Sequence, residues 1–197
     1  MRILFALSIH TELYGLPDNI PYLANEVVPL FHSKYGVRPT FAIQVEPKEC
    51  GDINLFRDFP KELEKLSEYG EIALHSHWKH NGSPEHQELH VMNALREGSS
   101  YKPKVWVSGH WLADVNTLRN LEGRMLIDSS ILVGAVKVGH SWRSPRAPYY
   151  PSLKDIHKLS KGKTFKVLEV PNIPLVLSTS MISKLQRRTR KHIEYIA

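Results

Sequence analysis

Strand-like apolar segments alternate with helical patterns along most of this chain, and that alternation limits the possible folds more than any other feature. Segments of strand character occupy 2–9, 40–45, 71–74, 104–107, 126–127 and 165–170. Amphipathic helical patterns at 19–35, 58–69, 83–98 and 114–121 separate the first five of them. Strands connected through helices pair in parallel, because each crossover helix packs back onto the sheet. The sequence therefore predicts an α/β fold with a parallel sheet, either open or closed into a barrel.

Local signals within the helical segments give three sharper expectations. Pro29 lacks a backbone N–H, so it should kink or shorten the first helix. Asp114 is expected to cap the fourth helix. In the third helix, Leu89, Met92 and Leu95 are expected to face the core.

Length and charge indicate one domain without a membrane span. The 197 residues fit a single domain over 1–197, and no apolar run is long enough to cross a bilayer. No secretory signal is recognised, so a cytoplasmic location is expected. Much of the net charge of +6 lies in 184–191, within a predicted basic amphipathic helix at about 180–197. That helix is expected to pack on the domain; lipid or nucleic-acid binding is the alternative, although no interleaved aromatic residues support the latter.

Polar side chains follow four of the predicted strands at their carboxyl ends. In parallel α/β folds these ends meet at one edge of the sheet, where ligands bind. The residues are His10 and Glu12 after the first strand, His75, His77, Trp78 and His80 after the third, His110 and Trp111 after the fourth, and Asp128 after the fifth.

Imidazole and carboxylate groups at these positions predict a divalent metal site, with zinc as the expected ion. Neutral imidazole and carboxylate oxygen suit zinc, and a catalytic site uses about three protein ligands plus water. Glu12, His75 and either His77 or His80 are the candidate ligands, and His10 is the candidate general base. The alternative is that these are exposed loop histidines that bind no ion.

Further residues are candidates for contacts with a substrate. Arg146, in a proline-rich stretch, is expected to bind a substrate oxyanion or to be an ordinary surface arginine. Asp128 is expected to orient a ligand histidine or, equally, to have a buried capping role. Aromatic or imidazole rings that would bind a sugar, or else pack in the core or at its rim, are those of Trp78, His110, Trp111 and Tyr149.

An ordered set of short motifs resembles the polysaccharide deacetylases, also known as the NodB-homology or carbohydrate esterase family 4 proteins. The motifs are ILFALSIH (3–10), YGVRPTF (35–41), GEIALHS (70–76), GHW (109–111), NTL (116–118), DSS (128–130), RAPYYPS (146–152) and LEVP (168–171). The resemblance implies a distorted (β/α) barrel with parallel strands. It also implies hydrolysis of an N-acetyl or O-acetyl group, or of another non-peptide C–N bond, by a metal-activated water.

Several catalytic positions of the family are occupied differently in this chain. The usual pair of aspartates aligns with His10 and Thr11, so the resemblance assigns His10 as the base and Glu12 as the acidic ligand. The position of the second ligand histidine is Lys79, and the usual arginine of the fourth strand aligns with Val107. The resemblance thus predicts a hydrolase acting on a carbohydrate or a small amide or acyl substrate. The alternative is a catalytically lapsed, carbohydrate-binding relative.

Overall fold

A computed structural model describes residues 7–11, 19–45, 53–77, 84–133 and 144–172 of the chain, without the side chains of residues 84–87 and 110. The strands are β1 (Ser8–Thr11), β2 (Thr40–Gln44), β3 (Glu71–Ser76), β4 (Val105–Ser108), β5 (Ile127–Asp128) and β6 (Leu168–Glu169). The α-helices are α1 (Asn19–Tyr22), α2 (Val28–Tyr35), α3 (Leu55–Asp58), α4 (Pro60–Tyr69), α5 (Pro84–Glu97) and α6 (Val115–Leu121). A π-helical turn covers Leu23–Val27, and 3₁₀ turns cover Ser99–Tyr101 and Gly109–Trp111.

All six strands form one parallel sheet in the order β1-β2-β3-β4-β5-β6. Each strand therefore pairs with the strand that follows it in the chain. This arrangement confirms the α/β fold and the parallel sheet predicted from the alternation of strands and helices. None of the described helices combines the length and the apolar character needed to cross a membrane.

The register of the sheet divides its side chains into two faces. Residues paired across parallel strands project to the same side, and the side alternates along each strand. One face carries Phe41, Ile43, Leu74 and Trp106, all fully buried in the main core. The helices contribute Ala24, Leu63, Leu66, Ala94, Leu118 and Leu121 to the same core.

The opposite face carries small side chains in its middle and imidazoles near its carboxyl end. His10 is in register with Ala42, which is in register with Ala73, and His75 is in register with Val107. Ala42, Ala73 and Val107 are fully or almost fully buried in a second, smaller apolar cluster. The small side chains thus occupy the middle of this face, and the imidazoles lie at its carboxyl edge.

A wider helical turn accommodates Pro29 in the first helical segment. The N–H of Val28 donates to the Leu23 carbonyl, which is the five-residue spacing of a π-helix. Pro29 then lies in the first turn of α2, where an N–H is not needed. The helical segment therefore continues from Asn19 to Tyr35, and the π turn is the irregularity that accompanies Pro29.

The prediction for the buried face of α5 was wrong for two of its three residues. Leu89 is 57% exposed and Met92 is 44% exposed, whereas Val91 and Ala94 are buried. Leu95 is half-buried against the main core, as expected. The core-facing stripe thus runs through Val91, Ala94 and Leu95.

The predicted cap of α6 is confirmed. The Asp114 carboxylate accepts a hydrogen bond from the Thr117 N–H at 2.8 Å, and the Thr117 hydroxyl accepts one from the Asp114 N–H. This reciprocal capping box satisfies two backbone donors at the start of the helix.

Candidate functional site

Three imidazoles from two strands meet at the carboxyl edge of the sheet. His10 lies on β1, His75 lies on β3, and His77 follows the end of β3. The ring centroids are 4.8 Å apart for His10 and His75, and 4.6 Å apart for His75 and His77. The structure thus brings together three of the residues that the sequence predicted for metal binding and proton transfer.

A backbone carbonyl fixes the orientation of the central imidazole. His75 is 1% exposed, and its Nδ1 lies 3.0 Å from the Val107 carbonyl oxygen. A carbonyl only accepts hydrogen bonds, so Nδ1 carries the hydrogen and Nε2 keeps its lone pair. Carbonyl partners of this kind hold metal-binding histidines in place. Val107 therefore contributes to the cluster through its main chain.

The Nε2 lone pair of His75 points at the second imidazole. Nε2 of His77 lies 2.8 Å from Nε2 of His75. A separation of 2.8 Å is that of a hydrogen bond, whereas two imidazoles bound to one tetrahedral zinc would have their nitrogens about 3.3 Å apart, so the two rings would have to separate slightly to share an ion. This donor pair fits the chemistry of a zinc-type ion, and it identifies His77 as the described partner of His75.

The 3₁₀ turn after β4 shapes the cluster from the other side. A Cβ built on Gly109 would lie 2.4 Å from Cδ2 of the His77 ring, so only glycine allows this approach. Trp111 has a φ of +58°, a strained value for a non-glycine residue. Its ring lies 5.1 Å from the His10 ring, centroid to centroid. The turn thus positions both of the outer imidazoles.

Two predicted metal ligands and two predicted substrate contacts cannot be placed. Glu12, Trp78 and His80 fall outside the described residues, as does the side chain of His110. Within the described part of the chain, no group of three His, Cys, Asp or Glu side chains is arranged to hold a metal ion. A complete ligand set for His75 and His77 would therefore have to include a residue from the stretches that are not described, and Glu12 remains the predicted one.

A cavity of about 210 Å³ lies beside His10. The π turn and the helix before it form its outer wall through Leu23 and Tyr22. His10 lines this cavity together with Ile9, Thr11 and Ile20.

Asp128 lies on the other face of the sheet from the imidazoles. Asp128 is in register with Trp106, whereas His75 is in register with Val107, so the two side chains project from opposite faces of the sheet. β5 includes Asp128, whereas the sequence predicted that this strand ends one residue earlier. Oδ1 of Asp128 accepts a hydrogen bond from the Ser130 hydroxyl, and the register partner of this residue on β6 is Glu169. The expectation that Asp128 orients a ligand histidine is therefore corrected: it belongs to the helix-covered core, closer to the buried role that was the alternative.

Of the other substrate-contact candidates, Tyr149 is a core residue and Arg146 is exposed. Tyr149 is 4% exposed, and its hydroxyl donates to the Ile156 carbonyl, which fits the packing alternative. Burial, followed by the charge of Glu169, raises the phenol pKa. Arg146 lies on the segment that leads to the Tyr149–Glu169 bridge, on the β6 side of the sheet. Its substrate role stays a prediction.

Comparison with models of known protein families and with curated proteins found no match to this chain.

Proposed function

We propose that this protein is a metal-dependent hydrolase that removes an acetyl group from an N-acetylated or O-acetylated sugar, or cleaves a related non-peptide C–N bond. The observation that carries the proposal is the pair of Nε2 atoms of His75 and His77 at 2.8 Å, with the His75 ring held by the Val107 carbonyl. His75 and His77 would hold the ion together with Glu12. A bound divalent cation would polarise the acyl carbonyl and lower the pKa of a water molecule.

His10 is the group proposed to move the proton. Its ring lies 4.8 Å from the His75 ring, and a cavity adjoins it. The water oxygen bonds to the acyl carbon while His10 accepts the water proton. The bond from that carbon to the amine nitrogen or alcohol oxygen then breaks, and His10 returns the proton to the departing group. Trp111 packs on the His10 ring and restricts its orientation.

The sheet supports a barrel as the setting for this site. Sequential strand order without a reversal is the order of (β/α) barrels, and right-handed crossovers place all helices on one side. The opposite face, with buried Ala42, Ala73 and Val107, then corresponds to a barrel interior. The imidazoles lie at its carboxyl end, where barrel enzymes have their active sites.

A lapsed, carbohydrate-binding relative is the second candidate function. His10 and Thr11 stand where the family has two acidic residues. The 2.8 Å separation of the two Nε2 atoms also suits a direct hydrogen bond from His77 to His75 without any ion. Such a protein would bind acetylated sugars and release them unchanged.

Hydrolysis assays with reconstituted metal separate these functions. Acetylated chitin oligomers and aryl acetates are incubated with the protein before chelation, after chelation and after zinc is restored. The hydrolase predicts turnover that chelation removes, zinc restores and His75→Ala abolishes. His90→Ala, on α5 and outside the cluster, is the matched control and should retain turnover. Sugar binding without turnover in the zinc-loaded protein would reject the hydrolase in favour of the lapsed relative.

A further inference from the structure

Two carboxyl side chains are buried next to each other on the helix-covered face of the sheet. Asp128 on β5 and Glu169 on β6 are direct register partners. Their exposed fractions are 0% and 1%. Carboxylates are almost never fully buried unless a partner compensates their charge, so this pair requires one.

The described hydrogen bonds satisfy only one oxygen of each carboxyl group. Oδ1 of Asp128 accepts from the Ser130 hydroxyl, and Oε1 of Glu169 accepts from the Ile131 N–H at 3.3 Å. Ser130 is itself fixed, because its oxygen accepts a hydrogen bond from the Ser108 N–H at 2.7 Å. Among the described residues, Oδ2 of Asp128 and Oε2 of Glu169 have no hydrogen-bond partner.

The described groups that face the pair supply no positive charge. Tyr149 is bridged to Glu169 by two backbone hydrogen bonds of 3.0 and 2.9 Å, and its phenol is neutral. Asp155, the next acid beyond Tyr149, is ion-paired with Lys158 at 2.8 Å. On the β4 side the register partner of Asp128 is Trp106, which is uncharged. The ion pairs described in this structure include neither Asp128 nor Glu169.

We propose that Asp128 and Glu169 share one proton at neutral pH. This proton-bridged pair holds β5 to β6, and the contact weakens as the pH rises. A protonated carboxyl becomes a donor, so one proton supplies the missing hydrogen bond to both unsatisfied oxygens. Two adjacent ionised carboxylates in the core would instead repel each other without compensation. The proposal does not depend on the proposed hydrolytic function, since the pair lies on the other face of the sheet.

The direction of the pKa changes agrees with one shared proton. Burial raises the pKa of Asp128 to about 6, and burial together with the charge of Asp128 raises the pKa of Glu169 well above its ordinary value. In the proposed pair Glu169 is the group that holds the proton and donates it to Asp128. A raised pKa in the folded state stabilises the fold at low pH, and that stability is lost as the pH rises towards the folded value.

The test compares the pH dependence of unfolding in the wild type and in Glu169→Gln. The glutamine amide can still donate to Asp128 but cannot lose a proton. Urea unfolding is followed on the full chain between about pH 6 and 7.5, where one extra proton in the native state changes the folding constant about tenfold per pH unit. We expect the folding constant of the wild type, divided by that of Glu169→Gln, to fall about tenfold for each unit by which the pH rises. Glu68→Gln removes an exposed carboxyl on α4 and should show the wild-type slope.

Two results would overturn the proposal. Equal slopes for the wild type and Glu169→Gln would mean that Glu169 carries no extra proton in the folded state. The second measurement needs no variant, so it also serves if Glu169→Gln does not fold: ¹³C-carboxyl labelling of glutamates in the wild type. One glutamate carbon should keep the chemical shift of a protonated carboxyl at neutral pH, and a spectrum without such a signal would refute the shared proton.

Discussion

Replacing Gly109 with alanine should damage the imidazole cluster while leaving the fold intact. The added Cβ would lie 2.4 Å from Cδ2, 2.5 Å from Cγ and 2.8 Å from Nε2 of the His77 ring. Ordinary contact begins near 3.4 Å, so the ring has to move by about 1 Å. His77 follows the end of β3 and is only half-buried, which allows its side chain to move without disturbing the sheet.

That displacement is large compared with the tolerance of a metal site. Ligand distances to zinc hold within about 0.2 Å, so a ring moved by about 1 Å no longer shares an ion with His75. We expect Gly109→Ala to weaken zinc binding by about 10–100-fold, the usual effect of disturbing the support of a metal ligand. The free energy of unfolding should change by less than about 1 kcal/mol, because only a half-buried side chain has to shift.

Zinc titration by calorimetry, with urea unfolding in parallel, measures both quantities. Gly162→Ala is the matched control, because its Cβ would meet only the Ser160 hydroxyl oxygen, at 3.9 Å. The control should bind zinc as the wild type does. Equal zinc affinity for Gly109→Ala and Gly162→Ala would refute the argument that the approach of His77 to Gly109 positions a metal ligand.

Substitutions at three further positions test the packing and capping of the fold by urea unfolding. Ser130→Ala removes the donor to Asp128 and the acceptor of the buried Ser108 N–H, and should cost about 1–3 kcal/mol; an unchanged midpoint would contradict this network. Asp114→Ala should cost about 1 kcal/mol through loss of the capping box, and Asp114→Asn should recover most of it. Leu118→Ala empties a fully buried position and should cost about 2–5 kcal/mol; a smaller loss would mean that the core there is not closely packed.

The strands of the sheet could be predicted because buried strands have short apolar runs in the local sequence. The segments around Phe41, Leu74 and Trp106 are apolar and bounded by turn residues, which is sufficient to place strands β2, β3 and β4. Asp114 carries a local signal for a helix start. The meeting of His10 with His75 was also predictable, since carboxyl ends of parallel strands share one edge.

The contacts that sequence reasoning missed depend on register or on distant partners. The predicted strand ended one residue before Asp128 and left that residue in the following loop. In the structure β5 includes Asp128, and the alternation of side chains along the strand places it on the helix-covered face. Glu169 is 41 residues further along the chain, and no local pattern links the two. The role of Val107 is carried by its carbonyl, which no side-chain motif reveals. The close approach of Gly109 to His77 has one sequence signal, a glycine next to a candidate ligand.

A crystal of the zinc-soaked protein, measured with anomalous scattering at the zinc absorption edge, tests the central claim most directly. We predict one strong peak per chain within about 2.0–2.1 Å of Nε2 of both His75 and His77. Zinc found only at surface histidines, with His77 still hydrogen-bonded to His75, would contradict the account.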